Sequence, residues 1–142
     1  PGTQITSANV NTLDDYEEGT WTPAVTLAMN SASYADREGN YCKIGNMVYA
    51  SGWIHLNGGT ADTSTMRLDL PFTAKNVSYG YVATGSCTVF EGAEQSADVA
   101  FVVNDNGADG YTVIRQATNT SGYVGTYFGN AGRISYTAVY QV

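Results

Sequence analysis

From residue 20 onward, apolar and polar positions alternate with a period of two along most of the chain. Residues 46–57 show it best. Val48, Ala50, Gly52, Ile54 and Leu56 fall on one side, and Met47, Tyr49, Ser51, Trp53 and His55 on the other. A strand sends successive side chains to opposite faces, so this pattern predicts a strand with its aliphatic side turned inward. Residues 133–142 repeat it, with Ile134, Tyr136, Ala138, Tyr140 and Val142 set against Arg133, Ser135, Thr137, Val139 and Gln141. Met66, Leu68 and Leu70 alternate with Arg67 and Asp69 until Pro71 stops the run. Further strands are predicted at 20–29, around 39–44, and at 79–91, 97–103 and 111–117, with a short strand or ordered loop at 121–128. Turns are predicted at 30–33, at Gly45-Asn46, from Gly58-Gly59 through Ser64, and at 104–110, whose sequence is NDNGADG. Pro23 points to an edge position or to the beginning of its strand. The result is an all-β chain of eight or nine strands with no convincing helix. That pattern predicts an antiparallel β-sandwich, jelly-roll-like, rather than a βαβ fold. No fixed-period repeat suggests a β-helix or propeller.

Residues 1–19 do not share the pattern. Ile5, Val10 and Leu13 are separated by polar, turn-favouring residues, and Asp14, Asp15, Glu17 and Glu18 crowd around Tyr16. The expectation is an extended acidic lead-in with a short helical turn around 13–18, handing over from an upstream stem to a single sandwich domain at 20–142. Such a segment buries too little to order by itself and needs a surface to lie against.

The net charge is −7, with only six Lys and Arg. Nucleic acid is disfavoured as a partner, because affinity for it rests on cationic contacts to phosphate. An anionic membrane surface is disfavoured for the same reason. There is no apolar run near 18 residues, so no membrane insertion is predicted. Charged residues make up 13% of the chain, about half the usual share. Two cysteines, Cys42 and Cys87, are too few for a disulfide scaffold. Their strand-like settings suit two buried thiols, with one bridge as the alternative.

Candidate catalytic groups are thin. A glycosidase needs two carboxylates about 5–10 Å apart across one sugar bond. Asp14 with Glu17, Asp36 with Glu38, and Glu91 with Glu94 are available, all in the lead-in or expected loops, where solubilising charge explains them as well. His55 is the one histidine, and no G-x-S-x-G elbow accompanies it. Asp105 to Gly110 faintly echoes a calcium loop, but Gln116 stands where a bidentate Glu is needed and a hairpin turn explains the same residues. Two Cys and one His, not clustered, exclude zinc. The expectation is no enzyme, no metal and no cofactor. Two aromatic groups remain. Tyr49, Trp53 and His55 form a polar-tipped stripe on one strand face, suited either to subunit packing or to stacking on sugar rings. Tyr123, Tyr127 and Phe128 sit in a loop of Gly, Ser, Thr and Asn, a composition that suits recognition surfaces.

Residues 11–23, NTLDDYEEGTWTP, with PGTQITSA ahead of them, resemble a junction that recurs in bacteriophage tail-fibre and tailspike proteins. Gly39, Tyr41, Lys43, Gly45 and Val48 resemble that family's G-x-Y-x-K-x-G-x-x-V strand pair. Residues 68–72, LDLPF, resemble its L-x-L-P-F step, and GRISYTAVYQV at 132–142 resembles its terminal strand. Residues 91–131 carry no such match. The resemblance implies a C-terminal β-sandwich domain of a virion tail fibre or tailspike, a homotrimer about the fibre axis, and contact with a bacterial surface glycan or outer-membrane component during adsorption. A purely structural trimerisation cap is the alternative, and part of a polysaccharide depolymerase is a third. Interfaces are enriched in aromatics and poor in acids and Lys, which suits this chain of 11 Tyr, 4 Phe and 2 Trp. Threefold packing would bury outer-face residues such as Tyr49 and Trp53, and the lead-in acids are expected to splay outward to water.

Overall fold

A computed structural model describes residues 15–27, 29–61, 66–76, 81–91, 98–104, 109–115 and 132–142. They form nine strands: β1 (Tyr16–Trp21), β2 (Val25–Leu27), β3 (Met29–Ile44), β4 (Met47–Ala61), β5 (Arg67–Asp69), β6 (Tyr81–Glu91), β7 (Asp98–Asn104), β8 (Asp109–Arg115) and β9 (Gly132–Gln141). All pair antiparallel, in the order β1-β3-β4-β9-β6-β7-β8-β5-β2.

This order cannot lie flat. β3 and β2 stand seven ladder steps apart, about 33 Å in a planar sheet. Yet one residue separates them in sequence, a reach of about 7 Å. β9 and β5 are four steps apart, but the Tyr136 hydroxyl of β9 donates to the Asp69 carbonyl of β5 at 2.9 Å. The sheet therefore folds over on itself into a β-sandwich. The core lies between the layers: Val48, Ala50, Ile54 and Leu56 from β4, Ile134, Tyr136, Ala138 and Tyr140 from β9, Leu68 from β5, and Phe101 and Val103 from β7. These are the inward positions that the alternation assigned to β4 and β9. The Tyr140 hydroxyl crosses the core in the same way, donating to the Phe72 carbonyl and accepting from the Phe72 N–H. Two buried phenols thus fasten the central strand to the opposite layer.

Several local expectations are corrected. Residues 15–18 are not helical; β1 begins at Tyr16 and pairs with β3 from Tyr16↔Ile44 to Trp21↔Gly39. The predicted strand at 20–29 is broken at 22–24, around Pro23, and both resulting strands lie at sheet edges. Residues 30–33 belong to β3 rather than to a turn, in a stretch whose register shifts and where Ser31 has φ 53°. β4 runs on to Ala61, through part of the predicted Gly58–Ser64 loop. Gly45-Asn46 is the two-residue turn expected, with Gly45 at φ 57°, where glycine is unstrained. Both cysteines are free: Cys87 is buried and Cys42 half-buried. The predicted element at 121–128 lies outside the described residues.

The β1–β2 corner is tied down from three sides. Ala24 donates its N–H to the Asp69 carboxylate, and Asp69 returns its own N–H to the Ala24 carbonyl at 3.1 Å. Arg37 donates to the Pro23 carbonyl at 3.2 Å and lies 4.1 Å above the Tyr34 ring. The Tyr34 hydroxyl accepts the Val25 N–H. Burial raises the Asp69 pKa above the ordinary carboxylate value; the Ala24 N–H, the nearby Trp21 indole and Arg37 oppose that shift without cancelling it.

Candidate functional site

Directly paired residues of an antiparallel ladder share a face, so the register gives a map of the outer surface of β1, β3, β4, β9 and β6. Beside the Gly45-Asn46 turn lies a row of Tyr16, Ile44, Met47 and Gln141. The next row is Glu18, Cys42, Tyr49 and Val139. Then come Thr20, Asn40, Ser51, Thr137 and Ser86, and after them Glu38, Trp53, Ser135 and Thr88. Asp36, His55 and Arg133 form the last.

Two chemistries share this surface. Tyr16, Ile44, Met47, Tyr49 and Val139 are each 39% to 51% exposed, and all five fall in the first two rows. Large apolar side chains clustered this way mark an interaction surface, whereas single scattered ones do not. The third row is hydroxyl and amide throughout, with Ser86 and Thr137 joined through their hydroxyls at 2.7 Å. Beyond it, Trp53 and His55 are half-buried among polar residues only.

The predicted stripe is therefore divided. Tyr49, Trp53 and His55 do share the outer face of β4, but Tyr49 belongs to the apolar end and Trp53 with His55 to the polar end. Tyr123, Tyr127 and Phe128 lie outside the described residues, as do residues 105–108 of the calcium-loop echo. The alternation had placed Met47 and Val139 outward; Tyr16 and Ile44 were not singled out, although a two-residue turn after Ile44 necessarily puts Ile44 and Met47 side by side. Among the described residues, no three His, Cys, Asp or Glu side chains are grouped to hold a metal ion. Asp36 and Glu38, expected in a loop, stand on β3. The register shift between Tyr34 and Asp36 turns both toward the outer face, beside His55 and Trp53. Asp36 accepts the Arg37 N–H at 2.8 Å, and Glu38 accepts the Asn40 amide at 3.4 Å.

The junction acids have local partners. Asp15 meets Lys43 at 3.3 Å. Glu17 accepts the Tyr41 hydroxyl at 2.8 Å and Glu18 the Tyr16 hydroxyl at 2.6 Å. These bonds raise both phenol pKa values, that of Tyr16 to about 12. All three carboxylates are solvent-exposed on this chain.

On the inner side, β1 and β3 interlock. Trp21 pairs with Gly39 and Tyr41 with Gly19, so each strand offers a glycine to the other's aromatic ring. A Cβ on Gly39 would come within 2.5 Å of the Trp21 ring, and one on Gly19 within 2.6 Å of the Tyr41 hydroxyl. Gly52 accommodates Tyr136 in the same manner, at 2.7 Å. The G-x-W and G-x-Y of the sequence are thus two halves of one antiparallel contact.

No family model matches the chain, and no curated protein matches it. Among solved structures it is similar to the Dettilon tailspike protein (gp208), with a TM-score of 0.71 at 10% sequence identity, over 89% of this chain and 24% of that one. The fold is tailspike-like. At this identity the likeness is one of architecture, and the chain spans about a quarter of the tailspike's length. The tailspike-like sandwich carries both outer-face regions on its continuous β1-β3-β4-β9-β6 surface.

Proposed function

We propose that this chain is a distal domain of a phage tail fibre or tailspike, a C-terminal sandwich that assembles as a homotrimer on the virion and contacts a host-surface receptor during adsorption. The observation that carries the reading is the divided outer face on a tailspike-like fold: one end has the apolar character of a protein interface, the other the polar-aromatic character of a recognition surface. The apolar end, around Tyr49 and Val139, is the subunit contact. The exposed acids of β1 sit at its margin, where they stay solvated. Repetition of one receptor site on three chains adds avidity to weak single-site binding.

Light scattering on the domain tests the assembly: a mass of three chains is expected, and a stable monomer at micromolar concentration would overturn it. Adsorption of the domain to host cells tests the receptor role. A trimer that binds no host cell, and whose deletion dissociates the fibre, leaves the structural cap. Release of reducing ends from host polysaccharide would overturn the non-enzymatic assignment.

A further inference from the structure

The polar end of the outer face has the makings of a saccharide subsite, and we infer that it takes an uncharged glycan, with one pyranose stacked on Trp53. The inference rests on the receptor reading above and names its ligand class. Trp53 is half-buried on the outer face of β4, so it keeps part of its surface open to a ligand. The positions around it are Ser51 and His55 on its own strand, Glu38 and Asn40 on β3, and Ser135 and Thr137 on β9. Every one is a hydroxyl, amide, imidazole or carboxylate, so the ring is ringed by hydrogen-bonding groups. A sugar needs that combination: an apolar C–H face to lie on a ring, and hydroxyls at its edge to be met by fixed polar groups. Part of the shell is already ordered, with the Asn40 amide on Glu38 and the Ser51 hydroxyl on the Asn40 carbonyl at 3.5 Å. Tyr49 lacks this environment, since its neighbours include Met47, Ile44, Cys42 and Val139. Charge sets the sugar class. Among the described residues of this face, Glu38 and Asp36 flank the site and Arg133 is the one cation beside them, on a chain of net charge −7. Uronic and other anionic sugars are repelled, whereas carboxylates are good acceptors for neutral hydroxyls.

The test is binding of the whole domain to an array of purified bacterial O-antigen and capsular polysaccharides, with neutral and acidic repeat units both represented. Binding to neutral polysaccharides is expected, weakened about tenfold or more by Trp53→Ala and less by Glu38→Ala. Circular dichroism and light scattering on each variant show that fold and assembly persist; Trp53→Phe, which keeps an aromatic ring, is expected to retain part of the affinity. Binding confined to acidic polysaccharides, or binding that Trp53→Ala leaves intact, overturns the subsite while the receptor reading stands. Adsorption to host cells without binding to any polysaccharide also overturns it, in favour of a protein receptor. A domain that binds neither cells nor polysaccharides sinks both readings together.

Discussion

The ring of Trp21 lies on Gly39, so closely that a methyl group at Gly39 would sit 2.5 Å from it. Because Tyr41 lies on Gly19 two positions along the same ladder, the lead strand is locked to β3 by two opposed ring-on-glycine contacts. Aromatic cover of a cross-strand glycine also fixes register, since a slip of one residue would drive each ring into a side chain.

Gly39→Ala is expected to destabilise the domain by about 1–3 kcal/mol through overpacking, read from urea unfolding. Combined with Trp21→Ala, its effect should shrink toward zero, because the clash partner is gone. Full additivity of the two substitutions would show that the ring and the glycine are not coupled.

Tyr136→Phe keeps the buried ring and removes only the hydroxyl that donates to the Asp69 carbonyl. A loss of about 1–2 kcal/mol is expected, since a carbonyl between the layers is left without that donor. Unchanged stability would mean that water replaces the phenol.

Asp69 carries a pH signature. Its pKa is raised in the folded state, chiefly by burial. Folding therefore favours the protonated form: the stabilising share is fully present below the unfolded carboxylate value of about 4 and is lost as pH rises through the raised folded value. Relative to Asp69→Asn, the wild-type domain should thus lose stability as pH climbs above about 4. Urea midpoints for both proteins across that range decide it, and an opposite slope would mean that Arg37 and the N–H donors outweigh burial.

Burial pushes the Cys87 thiol up to about 12, while Cys42 stands half-buried on the outer face. In the folded single chain, as released by Tyr49→Asp, Cys42 should react with a thiolate-directed reagent and Cys87 only after denaturation. Two fast thiols would show that β6 opens readily.

Tyr49→Asp and Val139→Asp place a charge on the apolar end without touching the core. Each should leave monomer stability within about 0.5 kcal/mol. Each should also reduce the assembled mass to that of one chain in light scattering. A trimer that survives both substitutions places the subunit contact elsewhere.

How much of this was legible in the sequence follows from which residues alternate. β4 and β9 could be read, inner face and outer face alike, because aliphatic and polar residues trade places at every step. β3 was read only at its end, because residues 29–38 offer few aliphatic residues and change face at the shift between Tyr34 and Asp36. Residues 16–19 of β1 were read as lead-in because Glu17, Glu18 and Gly19 leave the start of that edge strand without an apolar alternation to announce it. The division of the candidate site was not legible either. Periodicity gives the side of β4 on which Tyr49 and Trp53 stand, but Val139 beside one and Ser135 beside the other follow only from pairing between residues more than eighty positions apart.

The last of the nine strands sits between β4 and β6, fourth in the sheet order. During synthesis, β3 and β4 can pair as soon as they emerge, but the margin of β4 that β9 must cover waits until residues 132–141 have been made. Folding of the sandwich is therefore gated by synthesis of β9, and a chain stopped short of residue 132 would expose the unpaired margins of β4 and β6 to any neighbour. On a polysome, where identical nascent chains stand close together, that interval is the one in which this domain is most open to pairing with the wrong copy.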